Sequence, residues 1–196
     1  MAKTVRNIQA SPEEVFDILA DPRSYAYWVV GSKEIRTADD GWPKRGTRFD
    51  HTVGMGPLRV NDHTVVEESI PGRYLQLEAR ARPMGRARVK LDLDGRDGAT
   101  TVTMIEEPAD SKTAFVFQPV THLLTKRRNE HSLARLGELA ETRRPIPGDE
   151  PGVSPKLPVR NPEEGGSRNV AGVALAAGAV LAGAGALVWW RLSASR

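Results

Sequence analysis

His51 alternates with Phe49 and Val53 in the run Phe49-Asp50-His51-Thr52-Val53. Alternate residues of a strand share a face, so His51 is expected to point inward with Phe49 and Val53. A histidine placed there is either a base or hydrogen-bond donor to a ligand carbonyl, or a core residue satisfied by its neighbours. His63 lies on a strand whose two faces the pattern does not distinguish. Two carboxylate pairs follow, Glu67-Glu68 and Glu106-Glu107. Strand neighbours point to opposite faces, which leaves one of each pair available for burial. A carboxylate in an apolar site has a raised pKa and can do acid–base work; the other reading is a bridging role at a cavity mouth. His51 and Glu106 are the catalytic candidates. Arg127, Arg128 and His131 stand close together further on, with Arg127 and His131 four apart on one helical face. They either bind an anionic head group or are simply solvated.

Other chemistries are excluded. The chain has no phosphate-cradling glycine loop, no Ser-His-Asp spacing, no dinucleotide fingerprint and no metal-ligand triad. It has no cysteine, which removes thiol nucleophiles and Cys-based metal sites. The sequence therefore calls for no metal and no cofactor. A net charge of +3 over 196 residues is too small for a nucleic-acid-binding surface.

The elements that must position these residues are legible in order. Val5 to Gln9 reads as a short first strand. Ser11-Pro12-Glu13-Glu14 opens a helix: Ser as N-cap, Pro at the first helical position, Glu14 closing a capping box. Val15, Phe16, Ile18 and Leu19 give it an apolar face, and Asp21-Pro22 ends it. A second short helix is expected over Arg23 to Trp28. Strands follow near Ser32–Thr37, Thr47–Val53, Leu58–Ser69, Tyr74–Arg82, Arg86–Asp94 and Thr100–Glu106. Turn signals at Asp40-Gly41, Pro71-Gly72 and Asp97-Gly98 separate several of them. A long helix from Phe117 to Thr142 closes the domain, its apolar positions Val120, Leu123, Leu124, Leu133, Leu136 and Leu139 at helical spacing.

The strands Tyr74–Arg82 and Arg86–Asp94 are expected to form a hairpin turning at Pro83-Met84-Gly85. That register pairs Arg82 with Arg86, Arg80 with Arg88, Glu78 with Lys90 and Gln76 with Asp92. The opposite face pairs Ala81 with Ala87, Ala79 with Val89, Leu77 with Leu91 and Leu75 with Leu93. All polar residues fall on one face and all apolar residues on the other. The inner face is bulky at one end and alanine-lined at the other, so either the long helix or a ligand fills the space. On the outer face arginine opposes arginine twice, which is unfavourable. Such a patch is either solvated or suited to an anionic membrane surface through Arg80, Arg82, Arg86 and Arg88.

The opening run Ala10-Ser11-Pro12-Glu13-Glu14-Val15-Phe16, then Asp21-Pro22 and Trp28, carry a resemblance. Val102-Thr103-Met104-Ile105-Glu106-Glu107 and Arg128-Asn129-Glu130-His131-Ser132-Leu133 carry it at the far end. Met1 to Thr142 resembles the SRPBCC superfamily, in its polyketide cyclase/dehydrase branch, related to START lipid-transfer domains. The resemblance implies an α+β helix-grip fold: a curved antiparallel sheet around a long C-terminal helix, with an apolar cavity between them. It implies bulky hydrophobic ligands such as lipids or polyketides. Such a ligand would meet Trp28, Phe49, His51, Leu77, Ala79, Ala81, Ala87, Val89, Leu91, Leu124 and Arg127. A carrier or sensor is the leading expectation; a cyclase or dehydratase in the same cavity and a protein-interaction module are the alternatives.

Residues 143–168 read as a linker. Prolines and glycines recur every few positions there, so neither helix nor sheet can propagate. Val170 to Trp190 is 21 residues without a charged side chain. As a helix it would be about 31 Å long, matching a hydrocarbon core of about 30 Å. Trp189 and Trp190 suit an interfacial belt and Arg191 can snorkel. The expectation is a transmembrane helix over residues 169–191 with a short tail at 192–196. With no N-terminal signal evident, the domain is expected to face the cytoplasm and the anchor to insert tail-first. Flanking charge slightly favours the opposite orientation.

Overall fold

In the computed structural model, residues 1–55, 58–81, 85–109, 119–142 and 157–159 are described. The first strand, β1 (Ala2–Ile8), buries Ala2, Thr4 and Ile8 on one face. It starts three residues before the apolar pattern suggested, because edge pairing with a later strand extends it. Ser11 then caps α1 (Pro12–Leu19). Its Oγ accepts from the Glu14 amide at 3.2 Å, and Glu14 Oε2 accepts from the Ser11 amide at 2.9 Å. This reciprocal box satisfies two amides that a helix start leaves open. Val15, Phe16 and Leu19 are buried. The expected second helix divides into a 3-10 turn (Pro22–Ser24), capped by Asp21, and a one-turn α2 (Tyr25–Trp28).

Six strands follow: β2 (Ser32–Ala38), β3 (Arg48–Met55), β4 (Leu58–Ile70), β5 (Tyr74–Ala81), β6 (Gly85–Arg96) and β7 (Ala99–Pro108). Each pairs antiparallel with the next, and β1 closes the sheet beside β7. The order is β1-β7-β6-β5-β4-β3-β2. Register irregularities in β2, and in β4 between Val66 and Glu68, bend the strands locally.

The β5–β6 hairpin corrects the expected register by two residues. Ala81 pairs with Gly85, Arg80 with Arg86, Ala79 with Ala87, Glu78 with Arg88, Leu77 with Val89 and Leu75 with Leu91. The faces are unchanged because a shift of two preserves side-chain parity. Gly85 opens β6 opposite Ala81 with φ 103, a left-handed value open to glycine. Among the described residues, the new register sets Glu78 against Arg88 and leaves a single arginine–arginine pair.

The long helix, α3 (Pro119–Thr142), contacts β1, α1 and α2. Leu133 and Leu136 are fully buried, with Asn129, Ser132 and Ala140 on the same side. Full burial of a leucine side chain contributes about 1.5–3 kcal/mol. Gly137 faces β1 closely: a Cβ there would lie 3.5 Å from Ile8 Cγ1 and 3.1 Å from Arg6 Nε.

Contacts divide the chain into Met1–Arg160 and Asn161–Arg196. The first unit includes part of the stretch read as linker. The Ala38 amide donates to the Pro158 carbonyl at 3.3 Å, Val159 forms a parallel bridge to Ala38, and Leu157 packs half-buried on the core. The expected transmembrane segment lies outside the described residues. Among the described residues no helix is long and apolar enough to cross a membrane.

Candidate functional site

The concave face is organised in cross-strand rows, each set by hydrogen-bonded register. One row runs Thr4–Met104–Leu91–Leu75. The next runs Ala2–Glu106–Val89–Leu77–Val66. A third runs Pro108–Ala87–Ala79–Thr64–Phe49. Beyond it, His51 pairs with Asp62 and Ile35. The rows change character along the strands. Leu75, Leu77, Leu91, Leu93, Val102 and Met104 are buried. Val89, Ala87, Ala79 and Val53 are only half-buried. The face is therefore closed by leucine packing at one end and more open over small side chains at the other.

His51 sits at the open end and is 5% exposed. Its Nε2 is 3.2 Å from Thr64 Oγ1, and its ring meets Phe49 edge-on at 5.5 Å. Burial holds its pKa below the ordinary histidine value, while a hydrogen bond to the His63 backbone and the Asp62 charge oppose the shift. His63 is also lowered, chiefly by desolvation and then by the Arg48 charge. Phe49 continues into an aromatic cluster with Tyr25 and Trp42, at 4.8 and 4.7 Å. Tyr25 Oη and Trp42 Nε1 both donate to the Leu19 carbonyl, at 3.0 and 3.1 Å, completing the C-terminal end of α1. Burial pushes the Tyr25 phenol far up. Trp28 is buried against Tyr25 at 5.0 Å, with its Nε1 donating to Ser24 Oγ.

The carboxylate pairs part company. Glu106 faces inward and is 5% exposed, while Glu107 faces out and takes Lys90 at 2.7 Å. Glu106 Oε2 accepts from Asn129 Nδ2 at 2.9 Å and is held closely by Arg128. Glu67 and Glu68 do not split in this way, because the β4 bulge interrupts alternation between them. Both line an open polar groove of about 540 Å³ on the convex face, with Arg45, Gln76 and Arg88. Its lining is charged, so it is not the apolar cavity the hairpin pattern pointed to. Glu67 is bonded by Arg88 Nε at 2.6 Å and Gln76 Nε2 at 2.6 Å. The Arg88 hydrogen bond holds its carboxyl below the usual range. Arg86 likewise reaches Glu78 at 3.2 Å. The bare arginine patch expected on this face is thus partly paired with carboxylates, a consequence of the shifted register. Arg80 is exposed, and Arg82 lies outside the described residues.

The phase of α3 corrects two ligand-contact expectations. Leu124 is 64% exposed and Arg127 is exposed, on the side away from Leu133 and Leu136. His131 shares that solvent side. Arg128 instead reaches over the edge to Glu106, and Asn129 points in. Asn129 lies four residues before Leu133 and seven before Leu136, the spacing from which its inward placement could have been read. Leu77 and Leu91 are core rather than open wall. The Ala81 side chain lies outside the described residues. Thr4 and Thr64, absent from the sequence-derived site, both fall on the concave face. His51 on β3 and Glu106 on β7 are separated by three strands and form no direct acid–base pair. Among the described residues no cluster could hold a metal ion.

The sequence model of a family described as polyketide cyclase/dehydrase and lipid transport matches residues 2–141. No curated protein matches the chain. Several solved structures share its fold. Protein CV1439 from Chromobacterium violaceum is 17% identical with a TM-score of 0.55, covering 71% of this chain and 96% of that one. Protein TTHA0849 from Thermus thermophilus is 15% identical with a TM-score of 0.54, covering 74% and 99%. The Zhui aromatase/cyclase from a Streptomyces species is 14% identical with a TM-score of 0.56, covering 72% and 93%. At these identities the likeness is one of fold.

Proposed function

Since the chain belongs to the polyketide cyclase/dehydrase and lipid transport family, we propose that it binds a hydrophobic small molecule on the concave face of its sheet, as a membrane-tethered carrier or sensor. The observation that carries the reading is the gradient along that face. Leucines are buried at one end, while Ala79, Ala87 and Val89 remain half-buried at the other. Small side chains under a bent sheet leave volume that a bulky apolar ligand can occupy. The uncharged run Val170 to Trp190 supports the tether by its length. The ligand is a lipid or polyketide-like molecule. Native mass spectrometry of the full chain tests the reading: a co-purifying apolar mass is expected, released on denaturation. Recovery of only ligand-free protein that also fails to take up an environment-sensitive fluorescent lipid would overturn it.

A second reading is cyclase or dehydratase turnover in the same place. It is favoured by one observation, the inward carboxylate of Glu106 held by Arg128 and Asn129. Binding without turnover is preferred because three strands lie between His51 and that carboxylate, and general acid–base catalysis needs groups within hydrogen-bond reach of the proton transferred. Incubation of the chain with a linear aromatic polyketide mimic separates the two. Unchanged substrate supports binding; cyclised product lost in Glu106→Gln supports the enzyme.

A further inference from the structure

Resting on the reading of the concave face as an apolar ligand site, we infer that Thr4, Glu106 and Asn129 build a hydrogen-bonding subsite for a ligand hydroxyl. Three observations converge. Thr4 is 6% exposed, and its Oγ1 is buried without a hydrogen-bond partner. Buried polar groups are rarely left so, because the lost bond to water is not replaced. Glu106 is 5% exposed, and both its bonds, from Asn129 Nδ2 and Arg128, end on Oε2. Among the described residues no donor reaches Oε1. The register makes the two groups diagonal neighbours: Thr4 pairs with Met104, and Ala2 pairs with Glu106. Diagonal positions on one sheet face are about 7–8 Å apart at Cα, within reach of a long side chain.

The chemistry of the pair selects the ligand group. Glu106 is an acceptor held in place by two donors, and the Thr4 hydroxyl can donate or accept. A ligand hydroxyl gives its hydrogen to Glu106 Oε1 and takes the Thr4 hydrogen on its oxygen, satisfying both. A ketone can use only Thr4 and sets its oxygen against the carboxylate. A carboxylate ligand is repelled. Arg128 is spoken for by Glu106, which leaves no free positive charge at the subsite among the described residues. Val89, opposite Glu106, and Met104, opposite Thr4, supply apolar surroundings. The ligand is therefore an alcohol or phenol whose hydroxyl lies under α3, with its hydrophobic body along the alanine-lined rows.

Naphthol and methylnaphthalene match in shape and differ by one hydroxyl. Each is titrated into the full chain against a bound environment-sensitive fluorophore. The wild type is expected to prefer naphthol by about tenfold or more, the scale of a hydrogen bond to a charged group. Thr4→Val brings the ratio toward one, Glu106→Gln lowers it, and Thr4→Ser, which keeps the hydroxyl, preserves it. Displacement by both probes with a ratio near one in the wild type overturns the subsite and leaves the apolar site standing. A wild-type preference that survives both Thr4→Val and Glu106→Gln also overturns it. Displacement by neither probe overturns the apolar site, and the subsite with it.

Discussion

His51 Nε2 lies 3.2 Å from Thr64 Oγ1 on the concave face, one strand apart and with both side chains buried. Desolvation depresses the histidine pKa in the fold. The unfolded chain then binds a proton that the folded chain resists. Stability is fully present above the unfolded value of about 6.5 and is lost as pH falls below it. His63 contributes in the same direction. Thermal unfolding followed from pH 8 to pH 5 should show a falling midpoint below about 6.5. His51→Gln should flatten that fall. An equal slope in the variant would assign the pH dependence to other groups.

Ala79 and Ala87 pair across the hairpin at the half-buried end. Ala79→Phe or Ala87→Phe should weaken uptake of an environment-sensitive fluorescent lipid severalfold. Their stability cost should stay under about 1 kcal/mol, because overpacking a filled core costs about 1–3 kcal/mol. Denaturant unfolding and lipid titration on the same samples provide the check. A large stability loss with unchanged uptake would place the ligand elsewhere.

Gly95 of β6 lies over Pro12, the first residue of α1. A Cβ on Gly95 would stand 2.3 Å from Pro12 Cγ. The proline ring cannot rotate away, so Gly95→Ala must push α1 from the sheet, at an expected cost of about 1–3 kcal/mol. Ser11→Ala, which removes the cap from the same helix, should cost about 1 kcal/mol. Chemical denaturation of the two variants measures both, and Gly95→Ala is expected to be the more damaging.

Arg88 and Glu67 are bonded at 2.6 Å on the convex face, with side chains 31% and 26% exposed. A partly exposed pair of this kind contributes only about 0–1 kcal/mol. A double-mutant cycle with Arg88→Ala and Glu67→Ala should give a coupling in that range that shrinks as salt is raised. A coupling insensitive to salt would mean that the groove is less solvated than the structure indicates.

The tether is tested by fractionation. Full-length chain should sediment with membranes, and deletion of residues 170–190 should release it. The proposed cytoplasmic facing predicts that protease added to intact spheroplasts leaves the domain uncut. Cleavage in intact spheroplasts would reverse the orientation, and soluble full-length chain would remove the tether.

Much of the fold was legible from local rules. The capping box at Ser11 and Glu14 uses residues three apart, so nothing distant was needed to read it. The strands from Ser32 onward alternate with a period of two and are cut by turn residues, and their order followed. The inward placement of His51 came from the same alternation, which left open whether Glu106 or Glu107 turns inward. Alternation misled where a bulge intervened, at Glu67 and Glu68, because an inserted residue shifts side-chain parity without leaving a mark in the composition.

The sequence by itself determined which face of the β5–β6 hairpin is apolar, since parity is a property of neighbouring residues. It left the hairpin register open by two, because shifts of two keep every side chain on its face. Only the paired strands decided it, with Ala81 opposite Gly85 and Gly85 at a positive φ that favours glycine. Likewise helical spacing set Leu124 and Arg127 on the face opposite Leu133 and Leu136 without saying which face is buried. Docking on β1 and α1 set the phase by burying Leu133, Leu136 and Ala140, which turned Leu124 and Arg127 to solvent and Asn129 to Glu106. The placement of Thr4 diagonal to Glu106 required β1 to pair with β7, strands about a hundred positions apart. Local periodicity carries no information about such a pairing; it is fixed only when the sheet closes and its buried groups must be shared among strands.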